Sequence, residues 1–243
     1  MNNFDTEIMI PHLRKIWIKD PITIVHCGAH LAEELDEYEA EGWTQITWIE
    51  ANPQLIPALK ANTENHPGSE VICAAVWSET GIPLTLQIAN NSYSSSILNF
   101  GTHADTYPDI VYNGEIQVST QTLDSITEAL PAKSGALLVL DLQGAELEAL
   151  KGASQLLEKC NYIYTEVSKT ELYEKQGNWD SITTLVSKAG FRLVDWQYSE
   201  NLQWGDALYA RNCSYLKAFV SRIKRRKLHR ATAVKFMEVQ APF

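Results

Sequence analysis

The feature that most constrains this chain is a repeated unit: a short unbroken run of apolar and β-branched residues, then a turn, then a helical stretch. ITIVHC (22–27) is such a run, followed by a glycine turn and LAEELDEYEAEG. QITWIEA (45–51) is the next, followed by a helix from Pro53 to Asn65, and EVICAAVW (70–77) is a third. A strand with one wet face alternates apolar and polar residues, whereas a strand covered on both faces does not. Unbroken strands in β-α-β-α-β order therefore require a parallel sheet with helices on both sides.

The same logic carries the second half. ALLVLDL (136–142) and YIYTEV (162–167) are strands around the helical AELEALKGASQLLEK, TLDSITEAL precedes them as a helix, and Trp179 to Ala189 makes a helix ended by Gly190. FRLVDWQYS and DALYARN form a closing antiparallel hairpin. We expect an α/β fold: a doubly wound, seven-stranded, mostly parallel sheet with that hairpin at its C-terminal end and helices on both faces. Residues 78–120 break the rhythm with a turn, an alternating strand through Leu84, Leu86 and Ile88, and a Ser-rich loop, and read as an insertion. Residues 1–20 read as a leading helix packed on a domain of residues 21–212, and 213–243 as a basic tail.

Charge separates that tail from the rest. Residues 1–212 hold 12 Lys+Arg against 29 Asp+Glu, and residues 213–243 hold 8 against 1. An acidic body argues against a nucleic-acid partner, which calls for a basic working face. In the tail, Leu216, Phe219, Val220 and Ile223 share a helical stripe beside basic residues. A helix docked on the acidic body or a flexible end is the favoured reading, and an amphipathic helix on an anionic membrane surface the alternative. No apolar run approaches the ~20 residues of a membrane span, and the N-terminus lacks the apolar core of a secretory signal, so a cytoplasmic location is expected. Cys27, Cys73, Cys160 and Cys213 are far apart, with no zinc or disulfide spacing, and read as small buried hydrophobes in a reducing compartment. No His/Asp cluster stands at ligand spacing, so no metal is implied. The pattern leaves the oligomeric state unknown.

Ligands of doubly wound sheets sit outside the carboxyl ends of the strands. The first such place is His26-Cys27-Gly28-Ala29-His30, where Gly28 makes the tight turn. Glu50 closes the second strand about 20 residues later, the spacing of a carboxylate that accepts hydrogen bonds from a ribose. Ala51 and Asn52 shape its turn, Ala75 and Val76 end the third strand beside an adenine, and Asp141 and Gln143 follow the fourth. A dinucleotide fits poorly, because the turn reads GAHLAE rather than GxGxxG and the carboxylates of Glu33 and Glu34 oppose a phosphate. A cationic, phosphate-free adenosine cofactor, S-adenosylmethionine, fits better.

Six stretches carry a family likeness: IVHCGAHLAEE (24–34), WIEANPQLIPALKAN (48–62), ICAAVWSETG (72–81), TLDSI (122–126), LLVLDLQGAELEALKGA (137–153) and YTEV (164–167). In this order they resemble the FkbM-like family of S-adenosylmethionine-dependent methyltransferases, over about residues 20–212. The chain departs from the family pattern at His26 (Asp in many relatives), His30 (Asn), Ala32 (Gly) and Gln143 (Glu). The change at position 26 leaves Asp141 as the carboxylate for the methionyl ammonium. The resemblance implies an O-methyltransferase acting on a hydroxyl of a glycan or other small-molecule secondary metabolite. Deprotonation of that hydroxyl calls for a base, and Asp141, His103 and Glu166 are the candidates. The Ser-rich stretch Ser92-Tyr93-Ser94-Ser95-Ser96 offers hydroxyls to line the acceptor pocket, with Ser94, Ser95 and Ser96 as the candidates. Two other readings remain open at this point: a catalytically silent module that binds S-adenosylmethionine or a glycan, and a nucleotide-dependent oxidoreductase, which the absent GxGxxG disfavours.

Overall fold

A computed structural model describes residues 23–130, 135–199 and 201–211. The leading helix expected over 1–20 and the basic tail lie outside the described residues. In chain order the elements are β1 (Thr23–Cys27), α1 (Leu35–Ala40), β2 (Gln45–Glu50), α2 (Ile56–Thr63), β3 (Ser69–Cys73), β4 (Ala75–Val76) and β5 (Pro83–Ala89). They continue with α3 (His103–Thr106), β6 (Tyr112–Gln121), α4 (Leu123–Ile126), β7 (Ala136–Leu140), α5 (Glu146–Lys151), α6 (Ser154–Lys159), β8 (Cys160–Ser168), α7 (Trp179–Lys188), β9 (Phe191–Ser199) and β10 (Trp204–Arg211).

Seven strands form one sheet in the order β3-β2-β1-β7-β8-β10-β9. β1, β2, β3, β7 and β8 run parallel, and β10 pairs antiparallel with both β8 and β9. The strand order reverses between β1 and β7, which opens a crevice at their carboxyl ends. Both faces are covered, which is why the runs are unbroken. Val25, Cys27, Leu138, Leu140 and Ile163 pack under Ala149 and Leu150 of α5, Leu156 and Leu157 of α6, and Ile182 and Val186 of α7. On the opposite face Ile24, Ile46, Trp48, Leu137 and Val139 pack under Leu35 and Tyr38 of α1, Trp43, and Leu59 of α2. Among the described residues no helix is long and apolar enough to cross a membrane.

The structure differs from the sequence reading in three places. EVICAAVW is two strands: after Cys73 the chain leaves the main sheet, and Ala75 and Val76 pair with Thr120 and Gln121 of β6. The segment read as an insertion is built around a second sheet, β4-β6-β5. Its ten-residue central strand β6 escapes hydrophobic periodicity because most of its residues are exposed or half-buried, and backbone pairing with β5 holds it. The helix over AELEALKGASQLLEK is also two, α5 and α6, broken at Gly152. A Cβ there would meet the Trp77 carbonyl oxygen at 2.4 Å, so the helical layer approaches β4 through bare backbone.

The TLD element has a structural task. Thr122 caps α4 by accepting from the Ser125 N–H, and Leu123 is fully buried. Asp124 reaches across to α6, accepting from the N–H groups of Gln155 and Leu156 and from the Ser154 hydroxyl. It satisfies donors that a helix start leaves orphaned, and its charge suits the positive end of the helix dipole.

Candidate functional site

Three strand ends are laced together at the first turn. Gly28 has φ +84°, and a Cβ on it would stand 1.8 Å from the Asp141 carbonyl oxygen. The turn after β1 therefore lies directly on the exit of β7, an approach open only to glycine. The N–H groups of Gly28 and Ala29 donate to the Ile49 carbonyl at 2.9 and 3.1 Å, and the Asp141 N–H donates to the Cys27 carbonyl at 3.0 Å. His30 and Ala32 follow with φ of 42° and 62°. The left-handed region that Ala32 occupies favours glycine, which accounts for the glycine of the family pattern at that place.

Glu50, at the end of β2, is buried and held from two sides. Its Oε2 accepts from the His30 N–H at 2.9 Å and its Oε1 from the Asn52 N–H at 2.7 Å. Burial pushes its carboxyl up, and these donors act against that. A carboxylate has about four acceptor positions, so these donors leave capacity for a ligand. Asn52, buried beside it, accepts from the Gln54 N–H and fixes the turn into α2.

The outer wall of the turn is made with the second sheet's loop. His30 Nδ1 lies 2.6 Å from Glu33 Oε1 and its Nε2 lies 2.9 Å from the Ser92 hydroxyl. The Tyr93 ring packs 4.2 Å from the His30 ring, and its hydroxyl donates to Glu33. The hydrogen bond to Glu33 raises the His30 imidazole. Glu33 is held at about 2: burial would raise it, and His30 with the local N–H groups outweighs burial. Glu34, one residue on, is pushed up to about 7 by burial and then by Asp141.

Across the crevice, carboxyl groups converge from β7, α5 and β8. One oxygen each of Asp141, Glu146 and Glu166 lies within 4.8 Å of the others. Three carboxyls at that spacing need compensation by donors, protons or a cation, and donors are present. Glu146 Oε1 accepts from the N–H groups of Leu142 and Gly144. Gln143, at φ 51°, extends its amide between strand ends. Nε2 donates to Asp141 Oδ1 at 2.7 Å and to Glu166 Oε2 at 3.1 Å, while Oε1 accepts from the Tyr173 hydroxyl at 2.6 Å. Burial, then Asp141 and Glu146, lift the Glu166 carboxyl well above the usual range. Burial lifts Glu146 to about 7, and Asp206 on β10 rises to about 7 through burial and Asp141. Asp141 is the exposed member.

The structure thus brings together Gly28, Ala29, His30, Glu50, Ala51 and Asn52 on one side and Asp141, Gln143 and Glu166 on the other. Ser96 joins the second group, donating to the Gln143 carbonyl at 2.7 Å. Ser95 accepts from the Ala89 N–H and Ser94 is buried, so these serines are committed to shaping the loop. Ala75 and Val76 are buried in β4, Val76 within the core. His26 lies beneath the first turn, its Nδ1 at 3.1 Å from the Tyr38 hydroxyl and its ring 5.0 Å from that of Trp48. Burial lowers it to about 4, so it is neutral near pH 7. His103 is buried among Phe100, Tyr107 and Tyr173. Its Nδ1 has no hydrogen-bond partner among the described residues, and burial lowers it as well.

Ser92 and Tyr93 belong to the Ser-rich stretch that sequence reasoning set at the acceptor pocket, and here they meet the first turn instead; sequence reasoning gave no site role to Tyr173 or Asp206. Glu34 had a signal, a second carboxylate in the first turn. Tyr173 and Asp206 had none, because neither follows a strand of the expected crevice.

A family profile described as the methyltransferase FkbM domain matches residues 26–193. The chain is 37% identical over 83 residues to the 2-O-methyltransferase NoeI of Sinorhizobium fredii, a match covering 34% of each chain. It is 24% identical over 119 residues to the hexuronic acid methyltransferase AglP of Haloferax volcanii, covering 49% of this chain and 45% of that one. These matches span less than half the length of either relative. Among solved structures, magnesium protoporphyrin IX methyltransferase from Synechocystis PCC 6803 is similar with a TM-score of 0.49 and 9% identity, covering 85% of this chain and 77% of that one.

Proposed function

The chain belongs to the FkbM methyltransferase family, and on that premise we propose that it transfers a methyl group from S-adenosylmethionine to a hydroxyl of a glycan or other small molecule. One observation carries the reading: Glu50, with acceptor capacity to spare, stands beside the bare Gly28 turn and across the crevice from a cluster of carboxyls.

The residues fit the cofactor. Two vicinal ribose hydroxyls would take the free acceptor positions of Glu50. Gly28 would admit the ligand close to the backbone, and the carboxyl groups of Glu33, Glu34 and Asp141 suit sulfonium and ammonium charges where they would repel a pyrophosphate. When bound, the cofactor supplies a methyl carbon already activated for displacement. The protein's part is then alignment and proton removal. Asp141 is exposed at the strand end, where an incoming hydroxyl would meet it. Glu166 lies behind it, raised and held by the same Gln143 amide. His103, packed among rings, is the weaker candidate for the base. The two relatives, a 2-O-methyltransferase and a hexuronic acid methyltransferase, support an oxygen acceptor and a sugar acid as starting points.

Calorimetry with S-adenosylhomocysteine and NAD tests the cofactor. Binding of the former without the latter is expected, and the reverse would overturn the proposal. In Glu50→Ala, affinity for S-adenosylhomocysteine should fall at least about tenfold, or ~1.4 kcal/mol; unchanged affinity would remove Glu50 from the site. A labelled-methyl assay over hexuronic-acid glycans and other hydroxyl acceptors then tests the substrate class.

A further inference from the structure

Gln143 offers one acceptor and two donors on its amide, and all three are used. Asp141 and Glu166 take the two N–H groups, and Tyr173 donates to the oxygen at 2.6 Å. The alternative orientation has a definite attraction. A protonated Glu166 is itself a donor, and an amide oxygen turned toward it would capture its proton. Tyr173 blocks that turn, because its hydroxyl holds Oε1 on the far side. Carboxyl oxygens of Glu166 and Asp141 stand within 4.8 Å of each other, bridged by the one amide nitrogen. With the amide oxygen withheld, the bridged Asp141 carboxylate is an acceptor open to the Glu166 proton.

We propose that Tyr173 is a positioning residue that locks the Gln143 amide with its nitrogen toward the crevice, so that Asp141 and Glu166 share one proton as a pair. This rests on the methyltransferase reading for its use. As the acceptor's O–H bond breaks, its proton passes to the Asp141 carboxylate. The new O–C bond forms while the C–S bond breaks with its electron pair going to sulfur, leaving a neutral thioether. Asp141, being exposed, then returns the proton to water. Other groups face the pair and set its field: Glu146 from α5, Asp206 from β10, Tyr164 from β8, Glu34 and His26 from the side of the first turn, and Tyr112 and His103 around Tyr173.

The test is a pH titration by carbon NMR of the full chain with labelled Asp and Glu carboxyls, assigned with Asp141→Asn and Glu166→Gln. In the wild type the Asp141 and Glu166 signals should both report the same step as the shared proton leaves, because the macroscopic steps of a coupled pair belong to both members rather than to either alone. In Tyr173→Phe they should separate into independent steps, while a purely structural role would lower the melting temperature and leave the common step in place. Gln143→Asn tolerates the left-handed backbone but cannot reach both carboxyls, and should separate them in the same way if Tyr173→Phe does not fold. Independent steps in the wild type, a common step surviving in both variants, or replacement of the step by millimolar magnesium would each overturn the proposal. Calorimetry with S-adenosylhomocysteine on the same wild-type sample keeps the two claims apart. A shared step without binding sinks the methyltransferase reading alone, and binding without a shared step sinks the relay alone.

Discussion

The two walls of the crevice handle negative charge in opposite ways. On the first turn, Glu33 is matched with a nearby imidazole, a phenol and a backbone N–H, and its carboxyl drops to about 2. At the ends of β7 and β8, carboxyls face one another: burial, with Asp141 adding to it, drives Glu146 to about 7, and burial with its carboxyl neighbours lifts Glu166 well above the usual range. The first wall is suited to holding a cation in place. The second is suited to holding and moving a proton, since Glu146 and Asp206 change charge near neutral pH.

The most disruptive way to break this contrast is to push the walls apart. Gly28→Ala places a methyl where the Asp141 backbone stands, at a backbone angle that alanine resists. A loss of about 3 kcal/mol or more is expected in urea unfolding.

The pH dependence of stability next separates Glu33 from the raised carboxyls on both walls. Glu34, Glu146 and Asp206 have folded values near 7, above those of free carboxyls. The folded state therefore binds more protons than the unfolded one, and its stability falls as pH rises through that range. Glu33 acts with the opposite sign, in the acid range below free Glu. His26, lowered to about 4, favours the folded state as pH rises up to the value of free imidazole and contributes no slope above it. Thermal unfolding between about pH 6 and about pH 8 should show a falling melting temperature, and Glu146→Gln should flatten the fall. A melting temperature that rises over that interval would contradict the assignment of the raised groups.

Glu33→Gln removes a half-exposed partner of His30, and solvent screening keeps the cost small, about 0.5 kcal/mol. Its sharper readout is His30, whose imidazole titration, followed by proton NMR, should move down once the carboxylate is gone. The smallest effect has the other sign. Ala32→Gly relieves a left-handed alanine at φ 62°, and the gain should be up to about 1 kcal/mol in denaturant unfolding, less the added entropy of an unfolded glycine.

The first wall was legible in the sequence because it is local. Gly28 directly follows β1, His30 lies in the same turn and Glu50 closes β2, and the reach from turn to carboxylate is set by one β-α-β unit. The GAHLAEE string itself carried the acidic character. The second wall was half legible. Asp141 and Glu166 were visible as carboxylates ending apolar runs, yet their contact through Gln143 and Tyr173 spans 30 residues or more of chain, and no spacing encodes it. His103 illustrates the converse. A loop histidine in a polar stretch gave no sign that three aromatic rings would enclose it.

By itself, the sequence determined the doubly wound sheet and the place of its crevice. Unbroken apolar strands must be covered twice, and glycine turns and strand-end carboxylates mark where ligand and backbone meet. Tertiary structure alone decided the departure of Ala75 and Val76 into a second sheet, the break at Gly152 and the convergence of carboxyls around one amide. Each depends on how closely two distant backbones approach. That distance is set by packing of the whole domain, not by the propensity of any one segment.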